Sequence, residues 1–416
     1  MEQTEKRTIR DLLPPANLLP LLFSYMIDHI ALSSYWIFFA IHLNDLTDSY
    51  LQISVVLAIP AIISILGTTV LSSLSDRTGK RKLLIFLAKI ALMIQYILLL
   101  FFGTGLFFTP KLLNILIILS IFGIFTQIYY TQHSALITII CPPNRKGQVS
   151  SYQVFFASAG WMIGSSLSVV IKNWQGIIGN LGFAAGFALL AGIISLFSPS
   201  KPYEEKVDAI EETTEICDEI DITAVELKSR TLIAAKDRDA EPYASYLSIL
   251  KRKKVITLLI TLAVLDFGFG PFNVITSVYF ETIGLTDNLI ANSNTIATAI
   301  GMVILLISGA ILDRTSRRRV LFLAVLAYPI LYTLMFFLSN YPIALFIIYF
   351  YPLYALKVPT ANTIIADVTA ENERGRGMSL VQIEQILFAN LGAILGCYIA
   401  DIVPDNFIPR FVPEGI

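Results

Sequence analysis

The sequence predicts an all-α polytopic membrane protein built as two related helical bundles. Three observations carry that prediction. Of 416 residues, 55% are hydrophobic and only 15% charged, and the mean hydropathy is +0.70; soluble domains carry about 25% charged residues. Apolar runs of about 20 residues recur along the chain, each long enough to cross ~30 Å of hydrocarbon as a helix. One basic loop also occurs twice. The first copy reads Ser72-Ser-Leu-Ser-Asp76-Arg77-Thr-Gly79-Lys80-Arg81-Lys82, and the second Gly309-Ala-Ile-Leu-Asp313-Arg314-Thr-Ser316-Arg317-Arg318-Arg319. The runs are too long for barrel strands, and in lipid a helix satisfies its own backbone hydrogen bonds.

Taken in order, the runs place spans at about 18–43, 50–74, 83–108, 111–136, 148–171 and 176–198. Five more follow at about 255–283, 289–312, 320–338, 342–366 and 378–403. The chain therefore divides into an N-terminal segment 1–17, a six-helix bundle 18–198, a central loop 199–254, a five-span bundle 255–403 and a tail 404–416. The tail has thirteen residues and three prolines, Pro404, Pro409 and Pro413, and is too short to span. A twelfth helix is missing from the visible pattern; truncation before it is expected, with a naturally short second half as the alternative. No signal-peptide cleavage pattern precedes the first span, which is expected to remain as a signal anchor.

Basic residues orient the chain. One set of short loops carries Arg77, Lys80, Arg81, Lys82, Arg145, Lys146, Arg314, Arg317, Arg318, Arg319, Arg374 and Arg376. The opposite set carries Lys111, Lys172 and Arg410. The rich side is cytoplasmic, and the N-terminus, with Lys6, Arg7 and Arg10, lies there too. The expected location is the cell membrane. Between Ser200 and Glu226 the central loop holds ten acids and two lysines, which predicts a loosely structured segment. It ends in Tyr243–Leu250 and the basic run Lys251–Lys254, read either as an interfacial helix with a headgroup anchor or as a simple positive-inside flank.

These features together resemble the major facilitator superfamily. The most specific element is the loop after the second span, where Leu74, Asp76, Arg77, Gly79, Lys80, Arg81 and Lys82 fit the family pattern and Ser72 stands where a first glycine is usual. In the second copy Gly309, Asp313 and Arg314 fit and Ser316 replaces the later glycine. The resemblance implies two six-helix bundles around a central cavity and a conformational latch formed by Asp76, Arg77, Gly79 and Arg81, with Asp313 and Arg314 as its looser second-half counterpart. It further implies that spans one, four, seven and ten line the cavity.

Ionisable residues deep in spans usually face a cavity or a partner. Asp28 lies about ten residues into its span, ~15 Å deep at 1.5 Å per residue. Asp266 lies at a corresponding depth, 238 positions on, while the two loop aspartates are 237 apart. Asp28 is read as the principal proton-coupling site, with His29 or Asp266 modulating it; the alternative is a structural aspartate. Gly268-Phe-Gly270-Pro271 directly after Asp266 predicts a broken or kinked helix, itself a pointer to a binding site. Gln127, Tyr129 and Tyr130 in span four and Tyr351, Tyr354 and Lys357 in span ten complete the candidate cavity. Lys357 could bind an anionic group or pair with an aspartate. Lys89 is read as snorkelling to the nearby membrane edge, and Gln382, Glu384 and Gln385 as shallow, with Glu384 at a cytoplasmic gate. Gly160/Gly164, Gly182/Gly186 and Gly392/Gly396 predict close helix approaches.

No phosphate-cradling motif is present. Cys141, Cys217 and Cys397 are far apart, and His29, His42 and His133 have no ligand-type neighbour one turn on, so no metal, cofactor or enzymatic activity is expected. The function implied is a monomeric secondary transporter that moves a small organic solute by alternating access, coupled to protons. Its expected partners are the solute, protons and the lipid bilayer, with no nucleic acid. A passive facilitator, or a transport-dead receptor acting through the acidic loop, are the alternatives. Two acids, tyrosines and a lysine would suit a zwitterion, a sugar or an amphipathic cation.

Overall fold

The computed structural model describes residues 14–47, 49–78, 80–106, 111–140, 146–199, 246–282, 284–337, 354–369 and 374–402. Among these residues there are helices and no strand. The first half contains α1 (Leu19–Asn44), α2 (Tyr50–Thr78), α3 (Arg81–Gly103) and α4 (Leu112–Ile140). A helical stretch Lys146–Ser195 follows; it is interrupted at Gly176 and so forms α5 (146–175) and α6 (177–195). The second half contains α7 (Lys253–Thr282), α8 (Asp287–Arg314), α9 (Arg317–Phe337), α10 (Tyr354–Val368) and α11 (Arg374–Ile402). The predicted spans coincide with these helices over the described residues; of the span at 342–366, residues 342–353 lie outside them. Six helical stretches among the described residues are individually long and apolar enough to cross a membrane.

Sequence details explain the departures at span ends. The third helix stops at Gly103 rather than near 108, and Gly105 turns the chain with φ 81°. The turn between α5 and α6 is made by Gly176 alone (φ 65°, ψ −160°), a backbone conformation that excludes a β-carbon, so α5 extends beyond the predicted end at 171. The predicted interfacial helix is present as a single turn, Tyr246–Leu250. Its Ile249 is fully buried against Val255, Leu259, Leu321 and Ile365, so it docks on the second bundle instead of lying free. The break predicted after Asp266 is absent: α7 is continuous from Lys253 to Thr282 with Pro271 inside it.

Two glycine seams fasten the bundles internally. A β-carbon at Gly160 would overlap the Met26 carbonyl, and one at Gly164 would overlap the Ile30 carbonyl, so α5 lies directly on the α1 backbone. In the second half Gly392 meets the Phe267 carbonyl, Gly270 meets the Ala389 carbonyl and Gly396 meets the Pro271 ring, so α11 lies as closely on α7. Gly392 and Gly396 stand 232 positions after Gly160 and Gly164, which makes the two seams repeats of each other. The third pair departs from the prediction. Gly186 has open space around it and Gly182 meets only a methyl of Leu100 at 3.8 Å.

Call the end where α1 begins the near end and the end where it finishes the far end. Among the described residues, contacts between the halves gather toward the far end. Ile37, Phe38 and Ile41 of α1 pack with Val169 of α5 and with Val278, Phe280, Leu285 and Ile290 of the second half. Lys172 pairs with Asp287 at 2.8 Å, and the Ser165 and Thr295 hydroxyls lie 2.8 Å apart. Asp401, at the end of α11, accepts hydrogen bonds from Ser49 Oγ (2.6 Å), Tyr50 N (2.8 Å) and Leu51 N (3.0 Å), capping the start of α2 in the other half. On the outer surface, apolar side chains such as Val264 (71% exposed) and Leu113 (62%) face outward, as a surface in contact with lipid requires.

Candidate functional site

A cavity of about 120 Å³ lies between the halves. Trp36, Phe39 and Leu57 of α1 and α2 and Trp161 of α5 face Phe269, Phe272, Asn273, Thr276 and Ser277 of α7 and Asn294 of α8. Asn273 and Ser277 are four residues apart and so share one face of α7. The Thr276 hydroxyl is already used, donating to the Phe272 carbonyl of its own helix. Among the described residues the lining holds no charged side chain. It therefore offers aromatic faces and neutral amide and hydroxyl groups, a surface suited to an uncharged, hydrogen-bonding solute.

None of the predicted cavity residues whose side chains are described lies on that lining. Asp28 is buried within the first bundle, where it forms an ion pair with Lys89 of α3. The reading of Lys89 as a snorkelling side chain is overturned: it is fully buried, and its Nζ sits 3.2 Å from the centroid of the Tyr129 ring. Its position in the sequence, one to two turns from a helix end, gave no sign that α1 and α4 close over it. Around the pair stand Tyr25, His29, Tyr129, Tyr130 and His133. The Tyr25 ring lies 4.4 Å from both His29 and His133, and the His29 and Tyr130 rings lie 5.8 Å apart. His29 Nδ1–H donates to the Tyr25 carbonyl at 2.8 Å, and His133 Nε2–H donates to the Leu21 carbonyl at 2.9 Å. A carbonyl can only accept, so these bonds fix which nitrogen carries hydrogen. Gln127 is half-buried on α4 and is not part of the cavity lining.

The second bundle holds the matching aspartate differently. Asp266 pairs with Lys357 of α10, both buried, which is the pairing alternative named for Lys357. Asp28 and Asp266 occupy equivalent helices, but their lysines come from the third helix of one half and the tenth of the chain. A second cavity of about 80 Å³ opens beside this pair, lined by Leu262, Asp266, Lys357, Ala361, Val381, Gln382, Glu384 and Gln385. Glu384 is buried, with neither carboxylate oxygen hydrogen-bonded. The expectation that Glu384 is shallow is thereby corrected: it is buried and lines the Asp266–Lys357 cavity, because α11 lies so close on α7 along its glycine seam.

Of the latch residues, Gly79 lies outside the described residues, as do the side chains of Asp76, Arg77, Asp313 and Arg314; so do Tyr351 and the Tyr354 side chain. Arg81 is half-buried at the start of α3. What sequence reading missed was the cavity lining itself. Its best signal was the Gly268–Pro271 segment, which borders Phe269, Phe272 and Asn273, although the helix there is continuous.

Comparison with curated protein sequences gave no significant match. Solved structures share the architecture at low identity. A bacterial homolog of the human lysosomal transporter Spinster, solved in an inward-facing and occupied conformation, gives a TM-score of 0.69 at 13% identity over 94% of this chain and 84% of that one. A point mutant of the nucleoside transporter NupG gives 0.66 at 11% identity over 92% and 91%. A D-xylose–proton symporter gives 0.65 at 14% identity over 92% and 89%. The profile of the Major Facilitator Superfamily matches residues 21–396, nearly the whole helical region. Two glycine-seamed bundles closed around a cavity, the shared architecture and this match lead to one conclusion: the chain is an integral membrane protein built on a transporter fold and belongs to the Major Facilitator Superfamily.

Proposed function

We propose that the protein is a secondary transporter that moves a small, uncharged, hydroxyl-bearing solute by alternating access, coupled to protons, with its near end toward the cytoplasm. The observation that carries the reading is the cavity between the halves, whose described lining residues carry no charge. An ionic solute would need a counter-charge there, and the described lining residues supply none. Aromatic faces of Trp36, Trp161 and Phe272 would cover the apolar faces of such a solute, while Asn273, Ser277 and Asn294 would both donate to and accept from its hydroxyls. That two structural neighbours carry the names of a xylose symporter and a nucleoside transporter supports the same class.

Asp28 serves as the coupling carboxylate of this reading, with Lys89 as the partner that holds it between cycles. Movement of α1 against α3 would open the pair and free the carboxylate for a proton, and His29 stands one residue away as a second acceptor. The basic loops favour a cytoplasmic near end.

Tryptophan fluorescence tests the solute class directly. The chain has three tryptophans; Trp174 is 80% exposed and the other two line the cavity. In a Trp174→Phe background, monosaccharides or nucleosides are expected to shift the emission and charged amino acids or organic cations are not. Asn273→Leu should reduce the response at least tenfold in apparent affinity, the loss of about one or two hydrogen bonds to a polar ligand. A response to charged compounds alone would overturn the assignment. Uptake of the identified solute into proteoliposomes with and without a pH gradient separates coupled transport from passive facilitation.

A further inference from the structure

Two basic helix starts of the second bundle lie together at the near end. Arg252, just before α7, donates from Nη1 to the Val368 carbonyl at 3.0 Å, and Arg317, at the start of α9, pairs with Asp367. Both contacts fall on the last turn of α10, so the starts of α7 and α9 flank it. Val255 and Leu259 of α7, Leu321 of α9 and Ile365 of α10 belong to one apolar cluster beneath them. Lys251, Lys253, Lys254, Arg318 and Arg319 are exposed at these starts. Neither α7 nor α9 has an acidic residue in its first turn, and Asp367 is already taken by Arg317. Among the described residues this surface therefore keeps a surplus of positive charge.

The two helices also repeat one pattern. Lys253 is followed three, seven and eleven residues on by Ile256, Ile260 and Val264, and Arg319 at the same intervals by Phe322, Leu326 and Ile330. That spacing sets each cation above an apolar stripe on one helix face, and all six apolar side chains are exposed. A cation at the membrane edge over a lipid-facing stripe matches the two ends of a phospholipid. The first half offers one such wall only. Lys80 stands before α3, above the exposed Leu83 and Leu87, but the start of α1 carries no cation from Pro14 to Phe23.

We propose that the near ends of α7 and α9 form a binding site for an anionic phospholipid of the adjoining leaflet. Its headgroup is held by the cations of both starts, foremost Lys253 and Arg319, and its acyl chains lie along the two stripes. The surplus charge selects an anionic headgroup, because a zwitterionic one brings its own cation to a surface already positive. The stripes select a lipid over a soluble anion or the acidic stretch 200–226, since neither of those would cover apolar side chains. The site lies on the outer surface of one bundle. It depends neither on the solute assignment nor on which side of the membrane the near end faces.

Native mass spectrometry of the purified full-length protein in detergent micelles provides the test. Dioleoyl phosphatidylglycerol and dioleoyl phosphatidylcholine are titrated separately, and the anionic lipid is expected to be retained at least tenfold more tightly. Lys253→Gln combined with Arg319→Gln should remove most of that preference, two surface cations being worth about tenfold or more toward an anionic lipid. Both residues are exposed, so this variant is expected to fold. Lys80→Gln combined with Lys82→Gln changes the net charge equally and should leave the preference in place. Equal loss in the two double variants, or no preference in the wild type, refutes the site. Glycerol phosphate, the headgroup without its chains, should not be retained; retention as tight as that of the lipid would make a free phosphate the ligand. If a preference appears only after deletion of 203–240, the acidic loop is the occupant and the lipid site is overturned.

Discussion

Asp28 and Lys89 show how a buried charge pair constrains its residues one by one. Each is sealed from solvent by α1, α3 and α4, so removing either leaves the other uncompensated, a change that costs about 3–5 kcal/mol in buried pairs. Replacing both with neutral groups of similar shape is often close to neutral. Asp28→Asn and Lys89→Met are therefore each expected to lower the unfolding temperature by several degrees, and the double variant to recover most of the loss, measured by differential scanning fluorimetry in detergent. If the double variant is as unstable as the sum of the singles, the pair is not the unit described. Asp28 was legible in the sequence because a carboxylate in the middle of an apolar run is conspicuous. Lys89 was not, because a lysine near a helix end can reach the membrane surface by its own length, and only the packing of neighbouring helices denies it that route. Glu384 was misplaced for a related reason: its depth along α11 says nothing about which helix α11 touches.

Single helices carry the next lesson. All three glycine pairs have the same spacing, yet only two are seams. Gly160/Gly164 and Gly392/Gly396 are held against a carbonyl or proline ring of α1 and α7, while Gly182/Gly186 face open space or a distant methyl. Gly164→Leu and Gly392→Leu are expected to abolish folded, monodisperse protein in fluorescence-detected size exclusion. Gly186→Ala should be within about 0.5 kcal/mol of wild type, as for substitutions away from packed features. A folded Gly392→Leu protein would contradict the seam. The spacing of the motif is a property of one helix, and the sequence shows it fully; the backbone it presses against belongs to another helix and is not written locally. The helices among the described residues, in contrast, were legible in the sequence, because hydrophobic length is a local quantity.

In the whole molecule, the described contacts join the two halves toward one end. The hydrogen bonds of Asp401, the Lys172–Asp287 pair and the Ser165–Thr295 contact all hold the far end closed. Asp401→Ala combined with Lys172→Ala is expected to shift the population toward a far-open form. Double electron–electron resonance between spin labels near the starts of α2 and α8 would read this as a longer distance component; an unchanged distribution would mean that apolar packing around Phe38 and Phe280 alone holds the closure. Two-fold architecture could be seen in the repeated basic loop and in the spacing of Asp28 and Asp266. The neutral cavity could not, because it is assembled from aromatic and amide residues on five helices, each ordinary in its own run.

The bond from Asp401 has a further consequence, for how freely the start of α2 can vary. Two of its three donors are main-chain N–H groups, of Tyr50 and Leu51. Side-chain exchange at either position leaves the donor in place, so the closure tolerates nearly any residue there. Proline alone deletes a donor, and the first turn of a helix accepts proline without breaking. Leu51→Pro thus removes one strand of the fastening while leaving every charge and α2 itself intact, a change to the peptide backbone felt 350 residues away.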